Sequence, residues 1–132
     1  MAKRLSELST AQLEIMNVIW HRGETTISEV WHELQKRRKV ARATVQTVIG
    51  RLEEKGWLKH RDVGQAFMYS AVFDQAEIQQ SLVTNLCNRV FDGSASGLVW
   101  TLLDGRGIAK KDLELIRELI SKAEAQKNRR NK

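Results

Sequence analysis

Residues 43–52 read ATVQTVIGRL. At about 100° per residue, Val45, Val48, Ile49 and Leu52 fall on one arc of a helix. The opposite arc holds Ala43, Gln46, Thr47, Gly50 and Arg51, where an ordinary solvated face would mix Lys and Glu. Small residues let a backbone come close to a surface. A glutamine amide or a guanidinium can make two parallel hydrogen bonds to a base edge in a major groove, and Thr can meet a phosphate or a thymine methyl. Just upstream, KRRKVAR sets Lys36, Arg37, Arg38, Lys39 and Arg42 around the turn entering this helix. Cations there suit phosphate backbone. A solvated face beside a charged turn is the plain alternative, and face composition alone does not separate the two.

The elements that must hold this helix are well punctuated. Ser9-Thr10-Ala11-Gln12 has the spacing of a capping box and opens a helix of about 10–21 with a narrow polar strip of Glu14, Asn17 and His21. Gly23 ends it, and Thr25-Thr26-Ile27 suggests a very short strand. A second capping box, Thr26 to Glu29, opens a helix predicted over 27–38, with Ile27, Val30, Trp31 and Leu34 on one stripe. The third helix, 42–55, stops at Gly56. WLKHRDVGQAFMYSAVF then reads as a β-hairpin over about 59–70. Its turn is placed at Asp62-Val63-Gly64-Gln65, and Phe67 and Tyr69 share a face expected to cover the helices. Three helices and a hairpin in this order spell a winged helix-turn-helix. With Lys59, His60, Arg61 and Gln65, the hairpin offers groups for phosphates or a minor groove, though exposed hairpins also carry cations for solubility.

From Asp74 the pattern is helical: about 75–91, a break at Asp92-Gly93-Ser94, a short apolar helix over 97–103, and a last helix of about 110–126. Three such helices bury too little surface to stand alone. Their apolar positions, Leu82, Leu86, Leu98, Trp100, Leu102, Leu113, Ile116, Leu119 and Ile120, therefore ask for a partner surface, and a second copy of the chain is the simplest one. The alternative is that they pack back on the N-terminal half. The division expected is a winged domain over 1–73, a helical dimerisation region over 74–126 and a basic tail over 127–132.

Charge distribution agrees with a polyanion partner. The chain has 132 residues and a formal net charge of +6. Residues 1–70 hold twelve Lys/Arg and eight Asp/Glu, residues 71–126 six against eight, and the last six residues four against none. No apolar run approaches the roughly 20 residues that span a bilayer, and the N-terminus lacks a signal-peptide core. With the single Cys87, this suggests a cytoplasmic protein with no membrane insertion. His21, His32 and His60 offer no metal-ligand spacing, so no metal and no cofactor are expected. There is no glycine-rich phosphate loop and no arguable nucleophile–base pair, so no catalytic residues are expected either.

The chain resembles the penicillinase repressor family (BlaI/MecI-type) nearly end to end, through LSTAQLEIMNVIW, ATVQTVIGRLEEKGWL, FMYSAVF and NRVFDGSASGLVWTLL. The resemblance implies a mainly α fold, with an N-terminal winged helix and a C-terminal three-helix dimerisation region. It also implies a homodimeric repressor on a dyad-symmetric double-stranded DNA operator. Carried over by residue, it puts Thr44, Gln46, Thr47 and Arg51 at DNA-contacting positions, Arg42 at the helix start, and the wing at 60–66. Lys36 and Arg38 are assigned to phosphates, with His60, Arg61 and Gln65 on the wing. Family members often have Ser at the N-cap where Ala41 stands. Drug-responsive members are cut by a membrane sensor protease at an Asn-Phe bond, so the resemblance implies such a protease as a partner and release by proteolysis in the dimerisation region, although this chain has Thr101-Leu102 at that place. A copper-responsive branch has C-terminal cysteines, which AEAQKNRRNK lacks. Two other readings stay open: a winged-helix module for protein partners, and a repressor released by a small molecule.

Overall fold

The computed structural model describes residues 7–105 and 107–130. The first compact unit extends to Asn85, and a second begins at Leu86.

Helix α1 (Thr10–Arg22) starts at the Ser9 capping box. Gln12 N donates to Ser9 Oγ at 3.2 Å, and Ser9 N donates to Gln12 Oε1 at 3.0 Å. This reciprocal pair satisfies backbone donors that a helix start leaves free. Gly23 ends α1 at φ +86°, where a side chain would be strained. Strand β1 (Glu24–Thr25) follows. Helix α2 (Ile27–Gln35) opens on the second capping box, Thr26 with Glu29. It ends at Gln35, three residues before the expected 38. The next place on its buried stripe would fall to Arg38, which has nothing apolar to bury. Instead the chain turns, Trp31 Nε1 donates to Val40 O at 2.8 Å, and Val40 packs on the core.

Helix α3 (Arg42–Glu54) buries Val45, Ile49 and Leu52 completely. Strands β2 (Leu58–Val63) and β3 (Ala66–Ala71) form the hairpin, and β1 pairs antiparallel on the far side of β3. The register pairs His60 with Tyr69 and Asp62 with Phe67. Asp62 and Val63 thus belong to the strand, and the turn shortens to Gly64-Gln65, made possible by φ +68° at Gly64. Tyr69 is buried as expected, and burial pushes its hydroxyl pKa up. Phe67 is not: it stays 46% exposed, because its strand position lies out toward the tip, beyond the helices. It stacks instead on the His60 ring, with centroids 4.3 Å apart. Ile15, Met16, Ile19, Val30, Leu34 and Trp57 complete the centre of the core.

Helix α4 (Gln75–Val90) contributes Ile78 to this core, which is why the first unit continues past residue 73. In the second unit, Asp92 and Gly93 turn the chain at positive φ. Ser94 caps α5 (Ala95–Asp104), accepting from Gly97 N at 2.9 Å. Helix α6 (Lys110–Arg130) is longer than the predicted 110–126, so Lys127–Arg130 are helical and not a separate tail. No described residue from Leu86 onward is buried. Trp100 is 69% exposed, and Leu86, Leu102, Leu119 and Ile120 are exposed too. Between α5 and α6 lies an apolar groove of about 470 Å³, lined by Val99, Leu102, Leu103, Leu115, Ile116 and Leu119.

Candidate nucleic-acid interface

The three buried residues of α3 set its rotation. With Val45, Ile49 and Leu52 against the core, Ala43, Thr44, Gln46, Thr47 and Arg51 are all exposed, and Gly50 is half-buried. Among the described residues, Gln46 and Arg51 make no side-chain hydrogen bond or ion pair, so their donors are available. Thr47 Oγ1 donates to Ala43 O at 3.0 Å, one turn back. Its hydroxyl proton is therefore in use, while its methyl and lone pairs are not. A Cβ built on Gly50 would meet nothing within 4 Å, so packing inside the protein does not require glycine there. Ala41 occupies the N-cap in the extended conformation that a capping residue adopts, but supplies no side-chain hydrogen bond.

The turn cations divide into two sets. Lys36 Nζ pairs with Glu33 at 3.2 Å, and Arg38 Nη2 with Glu14 Oε1 at 2.8 Å. The Lys36 hydrogen bond and charge hold the Glu33 carboxyl below its usual pKa, while Glu14 raises that of Arg38. The side chains of Arg37 and Lys39, named in the same turn cluster, make no hydrogen bond or ion pair among the described residues. The sequence held a cue for one of these pairs, since Glu33 precedes Lys36 by three on a helix. It held none for Glu14 and Arg38, which are 24 residues apart. Arg42 donates to Ser28 Oγ at 3.2 and 3.4 Å, tying the start of α3 to the start of α2.

The wing candidates do not form one patch. Neighbours in a strand point to opposite faces. His60 lies on the inner face with Tyr69, and its Nδ1 contacts the Glu53 carboxylate of α3. Arg61 lies on the outer face, its guanidinium forked across the sheet onto Glu24 at 2.7 and 3.0 Å. That fork lowers the Glu24 pKa and raises that of Arg61. Gln65 is exposed at the turn, and Lys59, exposed on the outer face, has no ion pair among the described residues. Solvent screens exposed pairs of this kind, so none is a firm lock. Among the described residues no three His, Cys, Asp or Glu side chains group as a metal site would, and no helix is long and apolar enough to cross a membrane.

Comparison with known proteins places this geometry. A family model described as "Penicillinase repressor" matches residues 8–122. The chain is 30% identical over 128 residues to the penicillinase repressor of Bacillus licheniformis, covering 97% of this chain and 98% of the relative. It is 25% identical over 122 residues to the methicillin resistance regulatory protein MecI of Mammaliicoccus sciuri, covering 92% and 99%. Among solved structures, the DNA binding domain of the repressor BlaI matches with a TM-score of 0.50 and 36% identity, over 58% of this chain and 93% of that one. The RosR protein of H. salinarum matches with a TM-score of 0.51 at 17% identity, over 90% and 96%, a likeness of fold alone.

Proposed function

The chain belongs to the penicillinase repressor family, and from that premise we propose that it is a transcriptional repressor that binds an operator in double-stranded DNA as a homodimer. Helix α3 lies in the major groove with Gln46 and Arg51 toward base edges and Thr44 and Thr47 beside them. The cations around the α2–α3 turn, Lys36, Arg37, Arg38, Lys39 and Arg42, meet phosphates, and His60, Arg61 and Gln65 carry the wing contacts. The observation that carries this reading is the rotation of α3: one side is fully buried, and the other offers unpaired amide and guanidinium donors around a patch free of bulky groups.

The dimer reading rests on the second unit. Its apolar side chains (Leu98, Trp100, Leu102, Leu113, Ile116, Leu119 and Ile120), with Leu82 and Leu86 of α4, find too little cover within one chain. A second copy supplies it and fixes the spacing of two half-sites related by a dyad. The functional division is then a DNA-reading region over 1–73 and a self-associating region from 74 onward, working in the cytoplasm. Proteolytic release is not part of the mechanism proposed. The Thr101–Leu102 bond lies inside α5, where Gly97 O accepts from Thr101 Oγ1 at 2.9 Å, so α5 must unwind before a protease can take that bond as an extended strand.

The test is binding of the full chain to duplex from its own gene's upstream region against random duplex of equal length. Preferential binding is expected, and Gln46→Ala should cost about 1–3 kcal/mol while relaxing preference at one base pair. No duplex binding would turn the reading toward a module for protein partners. Uniform weakening on every sequence would take base reading from Gln46.

A further inference from the structure

The apolar stripe of α6 changes character before the helix ends. Ile116, Ile120 and Ala123 follow one another in steps of three and four residues. Lys127 takes the next place on that line, and Arg130 the one after it, while Arg129, at about 100° per residue, falls on the opposite side of the helix. Lys127 and Arg130 are exposed and their side chains make no hydrogen bond or ion pair among the described residues, although Glu124 stands one turn before Lys127.

Cations that served only solubility would sit on the outer side of the helix and leave the stripe apolar. Attraction to the negative end of the helix dipole, about 0.3–1 kcal/mol each, acts on any side of the helix and does not select this one. An apolar surface covering the stripe could not continue over Lys127 and Arg130 without stranding charge. A macromolecular surface that covers this face beyond Ala123 must therefore offer negative charge. Arg130 adds a planar fork that matches phosphate.

We propose that Lys127 and Arg130 form a second phosphate-contact element, holding duplex DNA without regard to sequence. The inference rests on the reading of α3 as a DNA-binding helix, because a chain already held on a duplex presents its other cations to the same polyanion at high effective concentration.

The experiment compares the full wild-type chain with K127Q/R130Q and with K110Q/R129Q, which removes equal charge from α6 away from that line. Binding to the upstream-region duplex and to random duplex is measured across salt concentration, with oligomeric mass and helix content followed in parallel. The C-terminal variant should lower the magnitude of the log–log salt slope by at least about one unit on both duplexes, at about 0.9 per lost contact. It should weaken both by the same factor, and the control should keep the wild-type slope. An unchanged slope, or an equal fall in the control, overturns the proposal. So does loss of self-association at unchanged slope, which would assign these cations to an acidic face of a second copy. If the wild type binds both duplexes alike, the reading of α3 falls while the slope comparison on random duplex still decides this one. Absence of all duplex binding removes both.

Discussion

Gly50→Ala separates what α3 needs for folding from what its outer face needs for a ligand. Gly50 lies inside the helix, is not among the positive-φ glycines, and has open space within 4 Å of an added Cβ. Alanine in a helix interior is favoured over glycine by about 0.8–1 kcal/mol, because glycine loses more backbone freedom on folding. With no clash to offset it, the substitution should stabilise the winged unit by about that amount. For a unit of this size, each kcal/mol moves the midpoint by about 4–8 °C, so thermal unfolding should shift upward by several degrees. The same methyl stands on the face proposed to approach DNA. If that contact is packed as tightly as a protein interior, forcing in a methyl costs about 1–3 kcal/mol, or about tenfold in Kd near the lower middle of that range. Thermal unfolding and fluorescence anisotropy on one preparation read both numbers. A lower midpoint would refute the open environment at position 50. A higher midpoint with unchanged affinity would refute close approach of DNA to the backbone there.

Ala41→Ser should raise stability by about 1 kcal/mol, since the N-cap backbone is already extended and only the side-chain acceptor is absent; urea unfolding checks it, and no gain would mean the free N–H groups of α3 are already satisfied. Glu29 has its pKa lowered, first by the hydrogen bond from the Thr26 backbone and then by Arg22. A lowered folded-state pKa contributes stability that is complete above the ordinary value of 4.5 and lost as pH falls through the folded value. Glu29→Gln keeps a neutral acceptor in the capping box, so its urea midpoint should fall less on acidification through that window than the wild type's; equal falls would assign the acid sensitivity to other groups, Glu24 and Glu33 among them. Trp100→Ala should shift sedimentation equilibrium toward monomer, by 2 kcal/mol or about thirtyfold if this exposed indole anchors the interface, and an unchanged distribution would take Trp100 out of it.

Short-range features were legible in the residues alone. Both capping boxes and the buried stripe of α3 involve partners three or four positions apart, and a helix brings such residues together wherever it lies. The outward set of Gln46, Thr47 and Arg51 followed from the same period. The resemblance added Thr44 to that set and agreed with the fold already spelled by the order of elements. Tertiary structure alone decided which cations are engaged. Arg38 with Glu14 and Arg61 with Glu24 span 24 and 37 residues, and Trp20 reaches the Phe73 carbonyl across 53. It also left Phe67 half in solvent and drew Ile78 into the core of the first unit. Hydrophobic period says that a side of an element is buried, but not how far along the element the burial extends. That limit depends on where the neighbouring elements stop, and a charge finds its partner only after the chain has closed the loop between them.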